Sequence, residues 1–251
     1  MTSHPDLLPV TRIPRTGSPR RALVVGDPFR AERIAKALDD ASEVAHAREY
    51  RTFRGRWKGT EVLVSSHGVG GPGAICLFQE LADAGVSTII RLGTAGALQP
   101  EIEDGDLVIA DATVRDDGVT AQLVPAEYPA VSSPEAVLAL TAAAAEHGAP
   151  HHRGLVWTRA AFYPAHLELP LRMYVDAGVR AIEMELSALL VLGTLRGLTC
   201  GGVLVIDGAA ADELRDTTGY DPHRAVVDAG VERGMHVALD ALTRIPVPRP
   251  S

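Results

Sequence analysis

The sequence predicts a single-domain α/β fold on two observations. Apolar runs of strand length alternate with stretches of helical period over nearly the whole chain, and Gly-rich turns stand where one gives way to the other. No internal repeat, low-complexity block or linker interrupts the pattern, and 251 residues are enough to bury a large core. One domain is expected over 1–251, with a core of about 21–243 and loose tails at 1–18 and 244–251.

Arg21 to Val25 is the first expected strand, punctuated by Gly26-Asp27-Pro28. Helical spacing follows from Phe29 to Leu38, and Pro28 suits the first helical position, where a backbone N–H would lack a partner anyway. Glu61 to Ser66 is a second strand, ended by Gly68-Val69-Gly70-Gly71-Pro72-Gly73, with a helix from about Ala74 to Ala84. Ser87 to Leu92 is a buried-type strand closing on Gly93-Thr94-Ala95-Gly96. Asp106 to Val114 is a further strand and Pro134 to His147 an Ala-rich helix. Gly154 to Thr158 and Gly201 to Ile206 are strands of the same kind, and Asp221-Pro222 is expected to start a last helix reaching about Leu242.

Composition narrows the function classes. Apolar residues make up 46% and charged residues 22%, a soluble globular balance, and no apolar run approaches the length of a membrane span. Residues 1–21 are rich in Pro, Arg and polar side chains and lack the apolar segment of a secretory signal. A net charge of -8 argues against nucleic acid as the main partner, because phosphate backbones are bound through excess Lys and Arg. Cys76 and Cys200 have no disulfide or metal spacing, which favours a reducing cytoplasm. The nine histidines form no HExxH pattern, and His151-His152 is expected in a polar, solvent-facing turn. GxSxG is also absent.

The chemistry-bearing segments follow apolar strands, where open α/β sheets place ligands. In Ala181-Ile182-Glu183-Met184-Glu185-Leu186 two acids flank a methionine at a strand-to-helix junction. Buried acids are costly unless something polar is held between them. A sugar diol fits, because a carboxylate accepts two hydroxyl hydrogen bonds while the methionine covers the apolar ring face. At Gly26 and Arg30 a glycine, a helix start and a charged fork would suit an anion; a plain turn with a surface arginine is the alternative. Arg91, near the end of a buried strand, needs either an anion or a structural ion pair, and Thr94 adds a hydroxyl. Arg48-Glu49-Tyr50-Arg51 has the composition of a solvated face. Phe162-Tyr163-Pro164 offers faces for a planar base, or for core packing. Asp207 ends a hydrophobic strand, where poor solvation would raise its pKa toward proton-donor range; a cap or turn role competes.

In this order and spacing the segments resemble the nucleoside phosphorylase-I family, which includes hexameric purine nucleoside phosphorylases and uridine phosphorylases. The likeness runs from about Val24 to Leu242. It rests on Gly26-Asp27-Pro28, Arg48-Glu49, Gly70-Gly71-Pro72, Arg91-Leu92-Gly93-Thr94-Ala95-Gly96, Phe162-Tyr163-Pro164 and Glu183-Met184-Glu185. The resemblance implies a central mixed β-sheet, partly barrel-like and flanked by helices. It also implies reversible phosphorolysis of nucleosides to free base and pentose 1-phosphate. Gly26, Arg30, Arg91 and Thr94 would hold phosphate, with Arg48 reaching in from a neighbouring subunit. Glu185, Met184 and Glu183 would meet the ribose, and Gly96, Phe162 and Tyr163 the base. Asp207 would protonate the purine N7. No metal or cofactor is implied beyond phosphate as co-substrate. The implied assembly is a homohexamer built as a trimer of dimers, with sites shared across the dimer interface.

Within the family, purines are favoured. Uridine phosphorylases carry Gln and Arg shortly after the Phe-Tyr-Pro segment, where this chain has His166 and Glu168, and the insertion expected before Glu183 is missing. The run from Glu183 through Gly193-Thr194-Leu195-Arg196 to Gly208 looks more like purine enzymes of the apicomplexan type. The family's N-terminal histidine against the 5′-hydroxyl has only His4 as counterpart, farther ahead of Gly26 than expected, with Leu8 nearer the place. A His4 reach or an apolar 5′ pocket tolerant of 5′-deoxy and 5′-substituted nucleosides are the two expectations. Uridine phosphorolysis, a nucleosidase and a non-catalytic nucleoside-binding protein are the rivals; the three arginines count against the nucleosidase.

Overall fold

Strand β1 (Arg21–Val25) carries two apolar faces: Ala22 and Val24 pack into one buried cluster, Leu23 and Val25 into another. Such a strand must be covered on both sides. Strand β10 (Thr199–Ala209) repeats the pattern, with Leu204 and Ile206 opposed to Val203 and Val205. The computed structural model describes residues 6–163, 165–210 and 220–247.

Among the described residues the chain runs β1, α1 (Pro28–Ala35), β2 (Asp39–Ala47), β3 (Tyr50–Trp57), β4 (Thr60–Ser66), α2 (Gly71–Asp83), β5 (Thr88–Ala97), β6 (Leu107–Asp116) and β7 (Ala130–Val131). It continues through α3 (Pro134–Glu146), β8 (His151–Arg159), α4 (Leu171–Asp176), β9 (Ala181–Glu183), α5 (Leu186–Leu195), β10 and α6 (Ala225–Arg244). The strand order is β10-β6-β8-β9-β5-β1-β4-β3-β2, and a further β10–β5 pairing closes β5, β10, β6, β8 and β9 into a ring. The rest extends as an open wing, and parallel and antiparallel pairs are mixed. Helices α2 and α5 cover one face through Leu77, Phe78 and Leu189; α1, α3 and α6 cover the other through Ile34, Leu140 and Val231. The expected mixed, partly barrel-like sheet flanked by helices is the observed architecture.

Six local expectations are corrected. Residues 7–14 are not a loose tail: Leu8 and Ile13 are buried, because the Glu80 carboxylate accepts the Val10 and Thr11 N–H groups at 2.9 and 2.8 Å and the Thr11 hydroxyl at 2.6 Å. At the other end Arg21 donates to the Leu242 and Ile245 carbonyls, so the helix and its exit are tied down. Arg48-Glu49-Tyr50-Arg51 is the tip and first residues of a β2–β3 hairpin, with Arg48 at φ 56° and Tyr50 buried. Strand β5 does not close at Leu92 but continues to Ala97, because its later residues pair with both β10 and β9. The last helix begins at Ala225; Asp221 instead accepts the His223 N–H in the turn before it. His151 and His152 lie on β8, and His152 Nε2 is 2.9 Å from Asp106 Oδ2. No helix among the described residues is long and apolar enough to cross a membrane.

Candidate active site

The carboxyl ends of β1, β4, β8 and β10 open on one cavity of about 660 Å³, into which β5 also runs. β1, β4, β5 and β10 run parallel, so Gly26, Gly68 and Asp207 come to one end although they are far apart in sequence, and Arg159 joins them from β8, which runs the opposite way with β6 and β9. Asp27 caps α1 by accepting the Phe29 N–H at 2.9 Å, which aims the helix start and Arg30 at the cavity.

Arg91 is the most constrained cation. It is 3% exposed, its Nη2 forms a close ion pair with Glu185 Oε2, and Glu183 Oε2 lies 3.3 Å away. Its Nε and Nη1 are buried without a hydrogen-bond partner among the described residues. A buried guanidinium with unmet N–H groups is costly, and an oxyanion is a strong acceptor for such a donor. Gly93 makes room for it: a Cβ there would lie 2.7 Å from Arg91 Cζ and collide with Nη1. The sequence alternatives, ion pair or anion ligand, are therefore not exclusive at this residue.

The two acids of the Glu-Met-Glu segment have different partners. Glu183 accepts the Glu185 N–H at 2.9 Å, the Leu186 N–H at 2.9–3.0 Å and the Thr158 hydroxyl at 2.5 Å. Thr158 Oγ1 in turn accepts the Ser187 N–H at 3.1 Å. Together they satisfy the first N–H groups of α5, whose sides are buried all round and which has no water to turn to. Glu185 instead accepts the Gly70 N–H through Oε1 at 2.5 Å and meets Arg91 through Oε2. Burial pushes the Glu183 carboxyl up against the pull of Arg91. Glu185, opposed by the same burial, is held below the usual carboxylate range by Arg91, His67 and the Gly70 N–H. Met184 stands between them and lines the cavity.

Asp207 owes its position to a β-bulge. The β10–β5 register shifts between Ile206 and Gly208, and the extra residue turns its carboxyl into the cavity. Burial raises its pKa, although the Tyr220 and Thr94 hydroxyls and the Arg30 charge pull the other way. Tyr220 donates to Asp207 Oδ2 at 2.8 Å, and Arg224 donates to the Asp207 carbonyl at 2.9 Å. Phe162 and Tyr163 form an edge-to-face pair at 5.0 Å on the cavity wall, 38% and 70% exposed.

The cavity thus gathers Gly26, Arg30, Arg91, Thr94, Gly96, Phe162, Tyr163, Glu183, Met184, Glu185 and Asp207. Arg48 is not among them; it is exposed at the hairpin tip. His4 and Pro164 lie outside the described residues, and His166 and Glu168 are exposed and do not line the cavity. Three groups went unread in the sequence. The Gly70 N–H and Tyr220 carry no local signal. His67, by contrast, stands alone between an apolar strand and a glycine run, which could have singled it out. Its Nδ1 is 2.8 Å from the Gly68 carbonyl and so carries the proton, while Nε2 is buried without a partner among the described residues. Burial lowers its pKa to about 4 and keeps the ring neutral.

The phosphorylase superfamily profile matches residues 20–243. The purine nucleoside phosphorylase of Plasmodium falciparum (isolate 3D7) is 39% identical over 228 residues, covering 89% of this chain and 90% of its own. The uridine phosphorylase of Thermococcus kodakarensis is 41% identical over 199 residues, covering 74% of this chain and 72% of its own. Among solved structures, a purine nucleoside phosphorylase from Toxoplasma gondii in complex with immucillin-H superposes with a TM-score of 0.90 at 32% identity, covering 96% of this chain and 97% of that one. With the motifs of the sequence gathered on one cavity in that fold, the chain belongs to the nucleoside phosphorylase-I family of pentosyltransferases within the phosphorylase superfamily.

Proposed function

We propose that this nucleoside phosphorylase acts on purine nucleosides, releasing the free base and (deoxy)ribose 1-phosphate. One observation carries the proposal: a buried carboxyl of raised pKa, Asp207, opens on the same cavity as the unpartnered N–H donors of Arg91. In this reading phosphate lies among Gly26, Arg30, Thr94 and Arg91 and attacks C1′. The glycosidic bond breaks with its electron pair moving into the base, and Asp207 gives its proton to N7, so the base leaves neutral. Glu185, ionised and already fixed by Gly70, accepts the ribose hydroxyls over Met184. Glu183, whose oxygens are taken by the cap of α5, holds Glu185 and Arg91 in place rather than meeting the sugar.

The base lies against Gly96, Phe162 and Tyr163. What supports a purine over uracil is the acid at Asp207 together with His166 and Glu168, exposed and outside the cavity lining, where uridine phosphorylases carry Gln and Arg. Arg48 is assigned to a neighbouring subunit's phosphate. Its exposure at the hairpin tip supports that, as do Phe29 and Val69, which are 76% and 80% exposed beside the cavity. The enzyme is assigned to the cytoplasm, as a homo-oligomer needing only inorganic phosphate besides the nucleoside.

Base release from inosine, guanosine, adenosine, uridine and thymidine, each with and without phosphate, tests the whole assignment. Phosphate-dependent release from the purine nucleosides is expected. Preference for uridine would remove the purine part, phosphate-independent release would make it a nucleosidase, and ligand-dependent stabilisation without turnover would make it a binding protein.

A further inference from the structure

The geometry points to Tyr220 as a positioning residue that steadies the Asp207 carboxylate as its proton leaves. This rests on the proposed role of Asp207 as proton donor and adds a residue that the motifs do not contain. The Tyr220 hydroxyl donates to Asp207 Oδ2 at 2.8 Å. The same ring lies 5.8 Å from that of Phe162 at 51°, so Tyr220 joins the acid to the aromatic wall of the cavity.

The turn bearing Tyr220 is anchored to the bulge a second time. Arg224 donates to the Asp207 carbonyl at 2.9 Å, to Asp104 Oδ2 at 2.6 Å and to the Asp221 carbonyl at 3.1 Å. One side chain thus holds the main chain of Asp207 and another holds its carboxyl. Tyr220 is half-buried, and burial, then the Asp207 charge, raise its pKa well above the ordinary phenol, so it stays a donor at any working pH.

The chemical consequence follows from charge. Asp207 begins neutral and ends as a carboxylate, and a donor fixed on Oδ2 binds the carboxylate more strongly than the acid. The hydrogen bond therefore strengthens along the reaction coordinate, which lowers the barrier rather than only tightening binding. The other groups facing Asp207 are the Thr94 hydroxyl from β5 and the Arg30 and Arg224 guanidiniums. None of them changes charge between neutral and moderately alkaline pH.

Tyr220→Phe keeps the ring and removes the donor. Inosine needs its N7 protonated on departure, whereas 7-methylinosine carries a cationic base that leaves without a proton. With the hydroxyl gone, kcat/KM for inosine is expected to fall by about tenfold. Loss for 7-methylinosine should stay within about threefold, the size of an ordinary packing change. Activity on inosine requires protonated Asp207, so it is lost as pH rises through the Asp207 pKa. Without Tyr220 the carboxylate is less stabilised, that pKa rises, and the alkaline limb moves up by about one pH unit. Equal losses on both nucleosides with the limb unmoved would reduce Tyr220 to a wall of the cavity and overturn the inference, as would an unchanged rate on inosine. Asp207→Asn on the same two substrates keeps the two ideas apart. If it fails to discriminate between them, the proton-donor role itself falls, whatever Tyr220→Phe does.

Discussion

Gly93→Ala is the perturbation that best isolates the anion site from the fold. Gly93 sits in extended β5 with no left-handed backbone, so alanine meets no conformational penalty there. What it meets is Arg91: the added Cβ would lie 2.7 Å from Cζ and 2.9 Å from Nη2, and closer still to Nη1. The guanidinium must swing out of its place, taking with it the Nε and Nη1 donors assigned to phosphate. A hydrogen bond to a charged group is worth about 1.5–3 kcal/mol, and each 1.4 kcal/mol is about tenfold in affinity. The phosphate KM should therefore rise by about 10- to 150-fold. Initial rates against phosphate at saturating inosine measure it. Gly201→Ala on β10 supplies the control, because its Cβ would press on Ala136 of α3 at 2.8 Å, with no guanidinium among its nearest neighbours. That variant should lose thermal stability and keep its phosphate KM. A Gly93→Ala enzyme with phosphate KM within about twofold of wild type would show that Arg91 does not hold the anion, and that its unmet N–H groups need another explanation.

Three further outcomes are expected. Asp207→Asn should lower turnover of inosine and guanosine by about 10²- to 10⁴-fold with phosphate KM near normal, and unchanged turnover would remove Asp207 from the mechanism. Arg48→Ala should weaken phosphate use although the residue lies outside its own chain's cavity. Co-assembling it with Asp207→Asn chains should restore activity, since one site per mixed pair then has both residues intact; absence of any restoration argues against a shared site. His67 bears on stability. Its folded pKa of about 4 lies below the ordinary 6.5, so the unfolded chain takes up a proton that the folded chain refuses. The stability it contributes is full above about pH 6.5 and is lost as pH falls toward 4, by about 3 kcal/mol in all. Urea midpoints through that range should slope for wild type and flatten for His67→Gln; parallel slopes would count against the assignment.

Most regular elements were legible because burial writes a period into the sequence. β1, β4, β6, β8 and β10 are strands with two covered faces or one, and α2 and α3 follow turns that punctuate them. The β2–β3 hairpin was not legible. β2 is exposed over Asp39–Glu43 and its register against β3 shifts twice, so no alternation marks it. The extension of β5 through Gly93-Thr94-Ala95-Gly96 was hidden for another reason. Those residues look like a turn in isolation, and only pairing with β10 and β9 makes them strand. The N-terminal segment has the composition of a tail, and nothing in residues 7–14 announces Glu80, about 70 positions away, as its acceptor.

The sequence by itself determined the α/β alternation, the family motifs and the identity of nearly every polar group on the cavity. These are local properties, set by spacing along the chain and by which residues follow a strand end. Tertiary structure decided how the groups divide the work. Glu183 and Glu185 are two residues apart, yet one caps α5 and the other faces Gly70 and Arg91. Arg91 is both ion pair and unfilled donor, His67 is neutral, and Asp207 rests on a tyrosine beyond the strand that bears it. Such assignments depend on distance, burial and competing partners in space, and those are fixed only when the strand ends converge.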